Sequence, residues 1–593
     1  MKRKSGESPM TAMQDVERPA KAGQFEMAWG SDVPAHMLRE FDIPYIALNP
    51  GASYRGFHDS LVNYLGNRDP QMLVVLHEEH AVAMAHGYAK VTGQPMAVAL
   101  HSNVGLMHAT MAIFNAWCDR VPILMLGATG PVDASERRPW IEWIHTAKDQ
   151  GALIRDYVKW DDQPASAGAL VESMLRAWQI MRTAPRAPVY VCLDMGLQES
   201  KLDAPPSVPA VSRFGPGDPP SPGADAVEAA AQLLNGADRP LIMAGRVSRD
   251  PADWQRRIEL AELLDARVVT DLKAGAAFPT DHRLHVVPPI KRPNKAAGDV
   301  LAAADAVLAL DWIDPMGTFQ LATGEAAIEG KMINCTVDSY IHNGWSMDHH
   351  LLPPADIRLL CEPDVAVSAL LAELKKQGKR SKPGWSGAPD IADSGSPHIE
   401  GELDYHDMAE ALTGALDGRP SCLIRVPLGW PGDALHFRDP LDFLGGDGGA
   451  GIGSGPGMAV GGALALKGTG RLPIAILGDG DSLMGLTALW TATKYRIPLL
   501  VIVANNRSYF NDELHQERVA DGRDRPPENR WIGQRIEDPD PNFVQLATGF
   551  GWEAEGPVNS SQALSKALVR GVERVEAGGC YLIDVEVARY YGA

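Results

Sequence analysis

At 593 residues the chain is too long for one hydrophobic core and points to about three to four domains. Its 55 Lys and Arg against 75 Asp and Glu leave a formal charge of −20, which argues against nucleic acid as a partner. The composition is 45% hydrophobic with no apolar run long enough for a bilayer, and the six scattered cysteines form no CxxC pair, so free thiols in a reducing, cytoplasmic setting are expected and no membrane partner is.

Residues 1–24 are polar; Lys2, Arg3 and Lys4 are not followed by an apolar core, so this reads as a flexible tail rather than a secretory signal. From 25 to 204, short apolar runs alternate with helical periodicity. "MLVVL" reads as a strand, "HAVAMAHGYAKVTG" as a helix stopped by Gly93, and "PMAVALH" as a strand. A helix through Trp117 and the strand "PILMLG" follow. A Pro/Gly-rich linker is expected over 205–226, a middle domain with "PLIMAG" and "ADAVLALD" over 227–374, and a second linker over 375–401. A third block, 402–593, ends on "CYLIDVEV". The predicted fold class is α/β, with three doubly wound parallel-sheet domains. A nicotinamide or flavin dehydrogenase is disfavoured, because "RVSRD" follows "PLIMAG" where a dinucleotide fingerprint would need glycines.

The third block carries the most specific pattern, "GDGDSLMGLTALWTATKYRIPLLVIVANN", from Gly478 to Asn506. "PIAILGDG" is a strand entering a glycine turn, the next stretch has helical spacing, and "PLLVIVANN" is a strand. In this βαβ unit Asp479 and Asn506 stand at the carboxyl ends of parallel strands, where α/β sheets bind ligands. A carboxylate and an amide oxygen there suit Mg²⁺, with phosphate oxygens completing its shell. Gly478 and Gly480 let backbone approach those phosphates. An ordinary turn explains GDG alone; GDG and NN closing one βαβ unit are far more specific.

With these motifs the chain resembles the thiamine-diphosphate (ThDP) enzyme family. The resemblance implies that Asp479, Asn506 and the Ser508 carbonyl hold the metal, that Gly480 and Asp481 line the diphosphate, and that Tyr509 lies near it. It also implies a glutamate in the first domain that shares a proton with the cofactor's pyrimidine. "VVLHEEHAVAMAHGYAKVTGQP" aligns Glu78 with that role and puts Glu79 where many members have Gln. In "GGAGIGSGPGMAVGGALA" Ile452 matches the aliphatic wedge under the cofactor, with Pro456 one place early; plain core is the alternative. By the same resemblance the site forms between Glu78 of one chain and Asp479 of another, so a homodimer or homotetramer is expected.

Within the family, "DYVKWDDQPASA", "APVYVCLDM", Asn49-Pro50-Gly51 and His101-Ser102 resemble benzoylformate decarboxylases. His101 thereby falls in the place of an active-site acid/base, with a structural cap as the other reading. Ala52 stands where those enzymes have a serine, Ser53 comes one place later, and "ALDWIDPM" offers no second active-site histidine. His145 in the aromatic-rich "RRPWIEWIHTAKD" is a further acid/base candidate, and the charged stretch 511–542 is a lid, a channel wall or a surface insertion. "HEEH" at His77–His80 lacks the spacing of a zinc motif, and His349-His350 diverge on regular structure. The resemblance implies decarboxylation of a 2-oxo acid, possible carboligation in the manner of acetolactate synthase, or C–C hydrolysis of a dione; these share every cofactor residue.

Overall fold

A computed structural model describes residues 16–20, 25–324, 328–338, 351–378, 385 and 401–590. Short apolar strands that do not alternate with polar residues need cover on both faces, which parallel βαβ crossovers supply. The first sheet contains β1 (Tyr45–Leu48), β2 (Gln71–Val74), β3 (Met96–Leu100), β4 (Ile123–Thr129), β5 (Trp160–Asp162) and β6 (Val189–Asp194). Their order is β2-β1-β3-β4-β6-β5, and every pairing is parallel. All residues of β3 and β4 are buried, as a central position requires. The chain leaves β1 for β2 on one side and comes back to β3 on the other. At such a reversal the following loops part and open a crevice. Asn49–Gly51 follow β1, His77 and Glu78 follow β2, and His101 follows β3, so these motifs share one edge.

The second sheet holds β7 (Pro240–Ala244), β8 (Arg267–Thr270), β9 (Ala306–Leu310), β10 (Lys331–Cys335) and β11 (Ile357–Leu359), parallel in the order β11-β10-β9-β7-β8. Its two faces bury separate clusters, Ile242, Val268 and Leu308 on one and Leu241, Val269 and Val307 on the other. After β12 (Ser421–Arg425) come β13 (Leu472–Gly478), β14 (Leu499–Asn505), β15 (Glu553–Val558) and β16 (Cys580–Glu586). These last four run parallel in the order β13-β14-β16-β15.

The three α/β sheets fall into two compact units. One comprises 1–217, 447–558 and 566–586; the other comprises 218–446, 559–565 and 587–593. The first unit thus contains both the first sheet and β13–β16. The 205–226 stretch includes a 3₁₀ turn at Val211–Phe214 and the start of a helix at Ala224; most of 375–401, and His349-His350, lie outside the described residues. None of the six cysteines is in a disulfide, and among the described residues no helix is long and apolar enough to cross a membrane.

A close helix pair packs the halves of the first unit together. The Glu78–Thr92 helix, N-capped by His77 and ended by Gly93 at φ 65°, lies against the Gly455–Leu466 helix. Small residues let the two backbones touch. A Cβ on Gly461 would sit 1.9 Å from the Met84 carbonyl oxygen, and one on Gly87 would sit 2.1 Å from that of Met458. Neither position has room for a methyl group. Gly461→Ala is therefore expected to destabilise by about 1–3 kcal/mol through overpacking. Gly414→Ala, in a helix where the new Cβ meets nothing within 4 Å, should gain about 0.5–1 kcal/mol. Urea midpoints measure both, and equal midpoints would mean the helix pair is loose enough to admit a methyl group.

Candidate active site

The site begins where β13 and β14, hydrogen-bonded neighbours, end side by side. Asp479 opens the helix after β13 and is buried. Its Oδ1 accepts the Gly480 N–H at 2.8 Å and its Oδ2 accepts the Ser508 N–H at 3.1 Å. Asn506 Oδ1 accepts the same Ser508 N–H at 3.0 Å, so Asp479, Asn506 and Ser508 meet at one point. Burial pushes the Asp479 carboxyl up to about 6 against these amide hydrogen bonds. A Cβ on Gly480 would lie 2.5 Å from the Tyr509 ring, so a side chain there would displace that ring. A Cβ on Gly478 would meet nothing within 4 Å, which leaves open space at the strand end. Asp481 has a bracing contact: its Oδ1 accepts the N–H groups of Gly453 (2.7 Å) and Gly455 (3.2 Å), tying the GDG turn to the glycine-rich loop. In that loop Ile452 keeps a partly exposed side chain.

The charged stretch after the motif folds back onto it. Glu513 is fully buried, accepts the Ser508 hydroxyl at 2.6 Å, and has Arg535 Nε at 3.3 Å and Arg530 Nε at 3.5 Å. The Tyr509 N–H reaches the Gln534 carbonyl and the Ile536 N–H reaches that of Arg507. Part of 511–542 thus buttresses the 507–509 backbone, while Trp531 and Ile532 stay exposed.

The adjacent glutamates turn to different neighbours. Glu79 Oε1 accepts the Ser454 hydroxyl at 2.9 Å, and burial raises its carboxyl above the usual range. His80 Nε2 lies 2.9 Å from Thr487 Oγ1. Glu78 instead faces the Ser102–Cys118 helix, with Oε2 3.0 Å from His108 Nδ1. A Cβ on Gly105 would be 3.2 Å from Glu78 Oε1 and 3.4 Å from His101 Cβ, so Glu78 and His101 flank one glycine.

His101 is held from several sides. Gly51 must lack a Cβ, which would fall 2.3 Å from the His101 Cβ and Cγ. Ser102, at φ 48°, donates its N–H to Ser53 Oγ at 3.1 Å, and that hydroxyl lies 2.8 Å from His101 Nδ1. The Ser53 N–H also points at Nδ1, at 3.4 Å. A backbone N–H can only donate, so in this geometry Nδ1 accepts and the neutral ring carries its proton on Nε2. Burial, and then the charge of His145, lowers the His101 pKa, while Glu78 acts in the opposite sense. The His145 ring stands edge-on to that of His101 at 5.0 Å, and its carbonyl accepts the Ser102 hydroxyl. In "ALDWIDPM", Asp314 caps the helix that begins at Pro315.

His108 and Ser454 were not singled out by their motifs. For His108 a signal existed: it follows Gly105 at i+3 on the helix that His101 caps. Ser454 becomes visible only when the two helices pack.

Three families match the chain in order. They are the thiamine pyrophosphate enzyme N-terminal TPP binding domain at 28–153, the central domain at 227–341, and the C-terminal TPP binding domain at 428–585. The chain belongs to the thiamine pyrophosphate enzyme family. Benzoylformate decarboxylase of Pseudomonas aeruginosa is 25% identical over 87% of this chain and 92% of its own. A probable acetolactate synthase large subunit of Methanocaldococcus jannaschii is 23% identical over 91% and 88%. Among solved structures, the thiamine diphosphate-dependent 4-hydroxybenzoylformate decarboxylase of Rhodococcus jostii RHA1 has a TM-score of 0.73 at 22% identity, covering 95% of this chain and 99% of its own. That likeness shows the shared fold.

The residues present fit the family's diphosphate and a divalent cation. Asp479 is a buried carboxylate whose ionised form lacks compensation from its amide partners alone, an amide oxygen lies beside it, and the space beside Gly478 is open. A carboxyl raised to about 6 stabilises the metal-free fold most while protonated, and that contribution is lost as pH rises through about 6. Cation binding needs the ionised form. The rise in melting temperature on adding Mg²⁺ with thiamine diphosphate should therefore be larger at pH 7.5 than at pH 5, and Asp479→Ala should abolish the difference. A rise independent of pH in the unsubstituted protein would place the cation elsewhere.

Proposed function

We propose that the protein is a Mg²⁺- and thiamine-diphosphate-dependent decarboxylase of aromatic or other bulky 2-oxo acids, working as a homodimer or homotetramer. The observation that carries this reading is the placement of Glu78 and His101 on either side of Gly105, at one edge of the sheet. When bound, the cofactor supplies a thiazolium carbon that acts as nucleophile and accepts the electrons released as CO₂ leaves. Glu78 would hold the proton shared with the pyrimidine on Oε1, while Oε2 is steadied by His108. His101, oriented through Nδ1 by Ser53, would present Nε2–H to the substrate oxygen and take a proton back at release. Asp479, Asn506 and the Ser508 carbonyl would hold Mg²⁺, Gly480, Asp481 and Tyr509 would border the diphosphate, and Ile452 would support the cofactor from below. The relatives named benzoylformate decarboxylase and probable 2-ketoarginine decarboxylase support a 2-oxo acid substrate. A second reading, carboligation, is favoured by the acetolactate synthase relatives.

A panel of 2-oxo acids scored for CO₂ release, with and without an added aldehyde, separates the two readings; products joined by a new C–C bond in place of free aldehyde would favour carboligation. With the best substrate, His101→Ala should keep thiamine diphosphate affinity and lose about 10²–10⁴-fold in turnover, the usual range of general acid–base help. Wild-type turnover in His101→Ala would leave the histidine a structural role only. Mixing Glu78→Gln with Asp479→Ala protein should restore part of the activity if each site draws on two chains. An active monomer in sedimentation would refute that assembly.

A further inference from the structure

His77 and Glu78 are neighbours in sequence, and on a regular helix their side chains would diverge. His77, however, is the N-cap, in extended conformation at φ −157° and ψ 142°, with Nδ1 accepting the Glu79 N–H at 3.2 Å. That fold-back brings its ring over His108 of the next helix, stacked at 4.9 Å between centroids. His108 Nδ1 in turn lies 3.0 Å from Glu78 Oε2. One ligand atom from each of His77, Glu78 and His108 lies within 4.8 Å of the other two. His80, the other histidine of the run, faces Thr487 instead.

We propose that His77, Glu78 and His108 form a binding site for a borderline-soft divalent cation of the zinc class, distinct from the oxygen-donor site at Asp479 and Asn506. Two imidazoles and one carboxylate are the donor set of open, four-coordinate zinc sites, with the remaining position left to water. Mg²⁺ prefers oxygen ligands in octahedral geometry and has little use for imidazole. Bonds of about 2.0–2.1 Å in a tetrahedron put ligand atoms about 3.4 Å apart. The 3.0 Å pair lies within about 0.4 Å of that spacing. The rest has to contract, and His108, with 58% of its side chain exposed, has the freedom to do so. A cation held there would also occupy Glu78, and on the function proposed above it would compete with the cofactor.

Zn²⁺ titrated into the full chain under saturating Mg²⁺ and followed by calorimetry tests the site. One Zn²⁺ per chain is expected, with affinity falling at least about 10–100-fold in His108→Gln and in His77→Asn, the range lost when even an outer partner of a metal ligand is removed. His77→Asn retains a helix-capping side chain, and circular dichroism checks that both variants stay folded. Unchanged Zn²⁺ binding in both folded variants, or no binding at tens of micromolar Zn²⁺, would overturn the proposal. Repeating the titration with thiamine diphosphate bound should weaken Zn²⁺ binding. If the variants lose Zn²⁺ while the cofactor has no effect on it, the metal site stands and the assignment of Glu78 to the cofactor falls.

Discussion

Direct backbone contact between the Glu78–Thr92 and Gly455–Leu466 helices is the constraint on which the site depends. Gly87, Gly457 and Gly461 leave no space for side chains, so the helices approach until carbonyls of Met84 and Met458 touch the facing chain. Such contact fixes the distance between the helix starts more tightly than a layer of flexible side chains would. Both starts carry candidate site residues. Glu79 meets Ser454 across the junction, and Asp481 ties the same glycine loop to the GDG turn. Residues nearly four hundred positions apart are thereby held as one surface.

Buried charge without full compensation marks the same region. Asp479 rests on backbone amides and is pushed up to about 6, and Glu79 is raised by burial. Glu513 is handled differently: two arginines and the Ser508 hydroxyl surround it, so it acts as a strut under the Asn506–Tyr509 backbone. The contrast separates a carboxylate that rests on backbone amides alone from one that the protein surrounds with charged side chains.

Around His101 the protein spends backbone irregularity on orientation. Ser102 takes a positive φ and Gly51 makes room for the ring. Ser53 then receives the Ser102 N–H and engages Nδ1.

The sequence by itself determined the strand–helix alternation, the parallel sheets and the closing of one βαβ unit by Asp479 and Asn506. Those features are local: apolar runs of strand length, helical spacing and glycine turns act within a few tens of residues. Glu78 and His101 were likewise legible, since each follows a strand and opens a helix. Tertiary structure alone decided which groups meet. The order β2-β1-β3 brought Glu78 and His101 to one crevice, helix packing joined Glu79 to Ser454, and the extended N-cap turned His77 towards His108. The union of the first and last blocks in one compact unit is of the same kind. Contacts between distant segments depend on sheet order and on the space left by absent side chains, and neither leaves a periodic trace along the chain.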